Sequence, residues 1–195
     1  DHIPAGFRRV SLGGGFMAHN GPLYARWTGE RVLLGFRVEE RHTNPLKICH
    51  GGMLATFADM LVPCANMYQS TLERRFLPTI SLQIDYMSPA PLGAWVQGQA
   101  DILRTTRNML FGQGLVMADG EPALRMSGIF KMGPLLTQGS STDPDAVLGA
   151  SLLPRVLSGH GRRHLGPEAP PRSSAPAPGS SVCSLRPPRA PGQLE

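Results

Sequence analysis

"NPLKICHGGMLATFADM", residues 44–60, brings an amide, an imidazole, two adjacent glycines and a carboxylate into seventeen residues. From the middle of this stretch onward, apolar residues recur at steps of three and four, which is the spacing of an amphipathic helix. The spacing predicts a helix over residues 51–68 that buries one face: Leu54, Phe57, Ala58, Leu61, Ala65 and Tyr68.

Pro63 lies inside this predicted helix. Because proline has no N–H, it removes the hydrogen bond to the carbonyl of Asp59, and its ring crowds the preceding turn. We therefore expect the helix to bend or to end early near Pro63.

Strand patterns lie on both sides of the helix. Before it, "RVLLGFRVEERH" (residues 31–42) places Leu34, Phe36 and Val38 on one side, which predicts a half-buried strand, and a shorter strand is expected near residues 23–27. After it come four segments rich in β-formers: "PTISLQIDYMSPA", "AWVQGQADILR", "NMLFGQGLVMA" and "ALRMSGIFKM". Asp119-Gly120 between the last two is a hairpin signal. This order predicts an α+β fold, with the long helix packed on one face of an antiparallel sheet.

The composition changes sharply near Gly133. All twelve aromatic residues precede it, and eleven of the nineteen prolines follow it. A segment with so little apolar surface cannot offset the entropy of ordering its chain. We expect a folded domain over residues 1–133 and a disordered Pro/Ser/Arg-rich tail over residues 134–195, with a docked helix at residues 145–157 as the alternative.

The overall charge and the cysteines exclude several classes of protein. The net charge of +5 suits anionic ligands, but no Lys/Arg block alternates with aromatics, so no nucleic-acid partner is expected. No apolar run approaches the ~20 residues of a membrane span. The three cysteines form no spaced pair, which indicates reduced thiols and a cytoplasmic location. No signal peptide is visible, although the start at Asp1 leaves a removed leader open.

Two common kinds of catalytic centre also lack their motifs. No H-x-x-x-H or C-x-x-C pattern is present, so no metal is expected. No G-x-S-x-G is present, so a serine nucleophile is not indicated.

The start of the predicted helix is a candidate oxyanion site. The first N–H groups of a helix have no partner within it and carry partial positive charge. Glycine there lets a ligand approach the backbone closely. The sequence His50-Gly51-Gly52 therefore suits a carbonyl oxygen that gains negative charge, although a plain turn has the same pattern.

His50 and Asp59 are nine residues apart. In a helix this separation puts them on opposite sides and ~13 Å apart along the axis, so they cannot meet within one subunit. If both serve one reaction, a second copy of the chain must supply one of them, and a two-fold dimer would do so. The alternative is that Asp59 is solvated or caps a neighbouring element.

Asn44, His50-Gly51-Gly52 and Asp59 resemble the N-x-x-G-x-x-H-G-G-x-x-x-x-x-x-D signature of hotdog-fold acyl-CoA thioesterases, and within them the phenylacetate-pathway (PaaI-like) branch. The segments "IDYMSPAPLG" and "LRTTRNMLF" resemble the strand after the helix and the next hairpin of that family. The resemblance covers about residues 16–132. It implies a hotdog fold, with the helix wrapped by the sheet and active sites between subunits.

The resemblance also implies a role for each signature residue. Asp59 would be the general base or the nucleophile, and the N–H of Gly51 would polarise the thioester carbonyl. Asn44 and His50 would position water or the carbonyl group. Thr79 matches the Ser or Thr that the family places early in the strand after the helix.

Contacts with the rest of the substrate are expected from a second group of residues: Gly52, Lys47, Arg104, Arg107 and Met60. Lys47 stands where the family has glycine, and a left-handed turn would cost lysine roughly 1–2 kcal/mol. We therefore expect the loop to take another path, with Lys47 free to face the ligand's phosphates.

The sequence thus predicts a thioester hydrolase that converts an acyl- or aryl-acetyl-CoA to the free acid and CoA, with no cofactor besides the CoA of the substrate. A homo-oligomer is expected, either a dimer or a tetramer. The alternatives are a non-hydrolytic acyl-CoA-binding hotdog module, and a hotdog dehydratase or hydratase that pairs a different histidine and acid. Asp59 at nine residues from His50 favours hydrolysis.

Overall fold

The computed structural model describes residues 2–12, 14–70 and 73–136. The alternative helix predicted at residues 145–157, and most of the predicted tail, lie outside the described residues. The elements follow in chain order: β1 Arg8–Val10, α1 Gly14–Asn20, β2 Leu23–Trp27, β3 Val32–Arg37, a 3₁₀ helix Glu40–His42, α2 Gly51–Asp59, α3 Leu61–Gln69, β4 Thr79–Tyr86, β5 Trp95–Thr105, β6 Met109–Ala118 and β7 Glu121–Lys131.

The described strands form a seven-stranded sheet in the order β1-β2-β3-β5-β6-β7-β4, with every neighbouring pair antiparallel. Asp119 and Gly120 form the turn between β6 and β7 and both have positive φ, 47° and 93°, as a tight hairpin requires. The predicted α+β architecture is confirmed. Among the strands of the described ranges, β4 pairs with β7 alone and lies at the edge of the sheet.

The long helix consists of α2 and α3, joined at Met60. Pro63 is the third residue of α3. The first N–H groups of a helix have no acceptor within it, so proline at this position removes no hydrogen bond of α3. The ladder resumes at once, since the N–H of Cys64 donates to the carbonyl of Met60 at 3.1 Å. The helix is thus interrupted at Met60, three residues before Pro63, and it continues to Gln69 rather than ending early.

Glycines in the sheet let this helix pack closely against the strands. A Cβ on Gly98 of β5 would lie 2.9 Å from Leu61, and one on Gly112 of β6 would lie 2.7 Å from Val62. The six apolar residues predicted for the buried face are all less than a tenth exposed. The helix is therefore fixed over the middle of the sheet, and its two ends are free to form a site.

The strand predicted over residues 31–42 is shorter than expected. β3 ends at Arg37, and the charged run Glu39-Glu40-Arg41 turns into the 3₁₀ helix. Val38 is still tied to the sheet side, since its N–H donates to the carbonyl of Ala94 at 3.0 Å. The chain therefore leaves the sheet before residues 44–50, the loop that carries the first part of the signature and leads into α2.

The folded part extends slightly past the predicted boundary at Gly133. The N–H of Phe76 donates to the carbonyl of Pro134, and that of Leu136 donates to the carbonyl of Arg74, both at 2.9 Å. Residues 134–136 therefore contact the body of the domain. Within the described ranges, none of the helices is both long and apolar enough to cross a bilayer.

Candidate active site

Asn44 organises the loop that leads into α2. Its Oδ1 accepts from the N–H of Leu46 at 2.9 Å and of Ile48 at 3.4 Å. Its backbone N–H donates to the carbonyl of Ile48 at 2.9 Å. These bonds close a side-chain turn of the kind that asparagine favours. The side-chain NH₂ is left as the donor that Asn44 can offer to a ligand.

Lys47 adopts the left-handed conformation, with φ of 58°. The expectation that the loop avoids this turn because lysine replaces glycine is therefore wrong. Two backbone bonds hold the strained residue, one from the Lys47 N–H to Asn44 and one from the Leu92 N–H to Lys47, both at 2.9 Å. The ammonium group forms an ion pair with Glu40, and both side chains are mostly exposed.

His50 caps the N-terminus of α2. Its backbone is extended, with φ of −61° and ψ of 136°, and its Nδ1 accepts from the N–H of Gly52 at 2.9 Å. The amide of Gly52, predicted to contact substrate, is therefore engaged by the cap. Gly51 is the first residue of the helix, and its N–H donates to no atom of residues 2–12, 14–70 or 73–136. This amide is the donor that the helix start offers to a ligand.

Tyr86 contacts the same helix start, and the sequence reasoning did not single it out as a site residue. Its hydroxyl donates to the carbonyl of Gly51 at 2.8 Å. A Cβ on Gly51 would lie 3.3 Å from the Tyr86 ring, so glycine is the residue that fits here without displacement. The signal was present, because the alternation of Ile80, Leu82 and Ile84 puts Tyr86 on the helix side, where its hydroxyl needs a partner.

Asp59 is the last residue of α2, and Thr79 is the first residue of β4. The Thr79 hydroxyl donates to Oδ1 of Asp59 at 2.7 Å. The two residues that the signature and the following strand contributed separately are thus brought together. Oδ2 of Asp59 accepts no hydrogen bond from the described residues, so one oxygen is anchored and the other is available.

The two halves of the signature lie at opposite ends of α2. Gly51 is at its N-terminus and Asp59 at its C-terminus, which is about 12 Å along the axis at 1.5 Å per residue. One subunit therefore does not bring the Gly51 amide and the Asp59 carboxylate to one reacting group. β4 contacts both ends, through Tyr86 at one and Thr79 at the other.

Of the residues expected to contact CoA, Gly52 and Met60 belong to the long helix, whereas Arg104 and Arg107 belong to the β5–β6 hairpin. The strand register sets Arg104 opposite Phe111, and Phe111 is adjacent to Leu110, which is fully buried beneath the helix. Since side chains alternate along a strand, Arg104 lies on the sheet face away from the helix. Arg107 is exposed in the turn between β5 and β6. Met60 is the joint between α2 and α3 and packs partly against the core.

Thiol chemistry is not supported by the cysteines that the structure describes. Cys49 and Cys64 are both buried and free. Burial raises the pKa of the Cys49 thiol to about 12, and that of Cys64 to about 12. Both stay protonated at neutral pH and are poor nucleophiles. The described ranges also hold no cluster of three His, Cys, Asp or Glu side chains that could bind a metal.

Comparison with known proteins identifies the same part of the chain. The profile of the thioesterase superfamily matches residues 46–123, which run from the signature loop to the start of β7. Mouse acyl-coenzyme A thioesterase 13 is 36% identical over 84 residues, which are 42% of this chain and 57% of that enzyme.

Solved structures agree on the fold. Thioesterase superfamily member 2 of zebra fish is 25% identical, with a TM-score of 0.53 over 63% of this chain and 88% of that one. A mutant of the phenylacetic acid degradation protein PaaI from Thermus thermophilus is 24% identical, with a TM-score of 0.51 over 60% of this chain and 96% of that one. The chain is therefore similar over residues 46–123 to the thioesterase superfamily, and its described fold is shared with solved thioesterase structures.

Proposed function

We propose that the protein is an acyl-CoA thioesterase, which hydrolyses an acyl- or aryl-acetyl-CoA to the free acid and CoA. The observation that carries this proposal is the arrangement on α2: the Gly51 amide has no partner among the described residues, and the Asp59 carboxylate is anchored by Thr79. The names of the mouse and Thermus relatives support the substrate class, since one is an acyl-coenzyme A thioesterase and the other a phenylacetic acid degradation protein.

The chemistry of a thioester fits these two groups. Attack on the carbonyl carbon moves charge onto its oxygen, where the Gly51 N–H and the positive end of the helix stabilise it. Asp59 acts either as general base on a water molecule or as the attacking nucleophile. The C–S bond then breaks, and the thiolate of CoA leaves with little help from an acid. The water supplies the oxygen and the proton that complete the acid and the thiol, so the reaction needs no cofactor.

We place each active site between two subunits of a homodimer, because the required amide and carboxylate are at opposite ends of α2. The edge strand β4 and the residues beside it supply the surface for this contact. Four large apolar side chains are exposed there: Phe76 at 56%, Ile80 at 54%, Tyr86 at 54% and Met87 at 46%. An unpaired edge with exposed apolar side chains is unusual in a monomer and suits pairing with a second copy. A tetramer would add a second, separate contact.

A panel of acyl-CoA substrates, followed by release of free thiol, tests the function. We expect turnover of aryl-acetyl or fatty acyl-CoA that is unchanged by a chelator. A protein that binds these compounds in calorimetry but releases no thiol would instead be the non-hydrolytic binding module. The cytoplasm stays the predicted compartment and is tested by fractionation of cells that express the protein.

A further inference from the structure

His42 is a buried histidine whose two ring nitrogens both have backbone partners. Its side chain is 2% exposed. The N–H of Glu39 donates to Nδ1 at 3.0 Å, and Nε2 lies 3.1 Å from the carbonyl oxygen of Asn20. Since an amide can only donate and a carbonyl can only accept, these two contacts fit a neutral ring with its proton on Nε2.

The same residue supports the start of α2 by two routes. Its carbonyl accepts from the N–H of His50, the cap of α2, at 2.7 Å. Its ring packs edge-on against Phe36, with centroids 5.4 Å apart, and Phe36 packs on Phe57 of α2 at 5.0 Å. His42 therefore fixes both the chain entering the helix and the core beneath it.

We propose that His42 is a positioning residue: as a neutral, Nε2-protonated ring it holds the loop from Asn44 to His50, and so aims the Gly51 amide at the reacting carbonyl. This inference rests on the proposed function for its catalytic consequence. The tautomer and the helix-start geometry can be measured without it. A misplacement of about 1 Å in such a donor can cost on the order of 10²-fold in rate.

The charge state of the ring gives the proposal a pH dependence. Burial is the largest cause that holds the pKa of His42 below the usual 6.5; Arg41 also lowers it, and Glu39 opposes it. From the other elements, the ring meets the Phe36 side chain and the backbone carbonyls of Asn20 and Arg37, and both carbonyls oppose the lowering of the pKa. Protonation would place a hydrogen on Nδ1 facing the Glu39 amide. The contact is therefore intact above pH 6.5 and is lost as the pH falls through the lowered pKa.

Substitutions separate positioning from simple core support. His42→Phe keeps a ring against Phe36 and removes both hydrogen bonds, whereas His42→Asn keeps an acceptor near the Glu39 amide. We expect kcat on the best acyl-CoA of the panel to fall about 10- to 100-fold in the phenylalanine variant and less in the asparagine variant, with KM within about twofold. His19→Asn, at an exposed histidine, is the control and should match wild type. An unchanged kcat in a folded His42→Phe protein would overturn the proposal.

Nitrogen-15 NMR of the full chain tests the ring directly, even if no variant folds. We expect the wild-type His42 ring to be the Nε2–H tautomer and to titrate below 6.5, and we expect the chemical shift of the Gly51 amide to change with that titration. An Nδ1–H tautomer, or titration at the usual pKa, would overturn the proposal. A protein with the expected ring but no thiol release would reject the proposed function and leave the geometric role of His42 standing.

Discussion

The two ends of α2 are built in different ways. At the N-terminal end, the proposed catalytic group is a backbone amide, held by a cap from His50 and by the Tyr86 hydroxyl on the carbonyl of Gly51. At the C-terminal end, the proposed catalytic group is a side chain, held by one hydrogen bond from Thr79 to Asp59. The geometry at the N-terminal end depends on the path of the backbone, whereas the geometry at the C-terminal end depends on the side chains of two residues.

This difference explains how substitutions should act. Removing a side chain at the C-terminal end deletes chemistry and leaves the backbone in place. At the N-terminal end, only a change that removes or moves the amide should matter, since the side chain there is a hydrogen atom. Substitutions at Asp59 and Thr79 test the C-terminal end, and substitutions at Gly51 test the N-terminal end.

The largest effect is expected for Asp59→Asn, which keeps the size of the side chain and removes its basicity. kcat should fall by about 10²–10⁴, the range for losing a general base, while acyl-CoA still binds. The measurements are thiol release, calorimetric binding and a melting curve. A variant that melts like wild type and hydrolyses within tenfold of its rate would remove Asp59 from the mechanism.

Gly51→Pro deletes the amide hydrogen at the other end. Proline is favoured at the first helical position, and the extended backbone of His50 suits a residue before proline. Because one oxyanion donor is lost, kcat should fall by about 10²–10³. Gly51→Ala is the matched control: it crowds Tyr86 in a similar way but keeps the N–H. Equal losses in the two variants would mean that crowding, and not the missing donor, is responsible.

Thr79→Val removes the hydroxyl that anchors Asp59 while keeping a β-branched side chain on β4. The net value of such a bond is about 0.5–1.5 kcal/mol, so kcat should fall by about two- to thirteenfold. Thr79→Ser keeps a hydroxyl and should recover most of the rate. If valine and serine variants are equally active, the anchor has no part in turnover.

Removal of residues 137–195 should have the smallest effect. The tail has the composition of a chain without a core, and the strand-like contacts of residues 134–136 are kept. Thiol release should stay within about twofold of the full chain and the melting temperature within a few degrees. Truncation after Gly133, which removes the bonds to Phe76 and Arg74, is the comparison. Loss of soluble protein on removal of residues 137–195 would show that the tail packs.

Much of the fold could be predicted from the sequence, because burying one face of a helix or strand requires apolar residues at regular spacing. The spacing of Leu54, Phe57 and Leu61 gave the helix and its buried face, and Asp119-Gly120 gave the last hairpin. Pro63 pointed to the interruption at Met60, since proline lacks the N–H that continues a helix. The predicted end of β3 was wrong. The alternating pattern continues past Arg37 into charged residues, but these residues form a 3₁₀ helix instead of a strand.

The site was only partly readable. Spacing alone suggested the oxyanion helix start and the separation of His50 from Asp59. The hydrogen bonds of Tyr86 and His42 were not predicted, because a contact between residues that are distant along the chain produces no local sequence pattern. Lys47 was misjudged for a related reason: the strain of its left-handed turn is local, while one of the two hydrogen bonds that hold it comes from Leu92, far along the chain.

The most direct test of the shared site is subunit complementation. Asp59→Asn and Gly51→Pro proteins, each nearly inactive alone, are unfolded together, refolded at a 1:1 ratio and assayed for thiol release. If the amide of one subunit works with the carboxylate of the other, half of the dimers are mixed and each has one intact site, so about a quarter of wild-type activity should return. If activity stays at the sum of the two separate variants although mass spectrometry detects mixed dimers, the site lies within one subunit and the account is wrong.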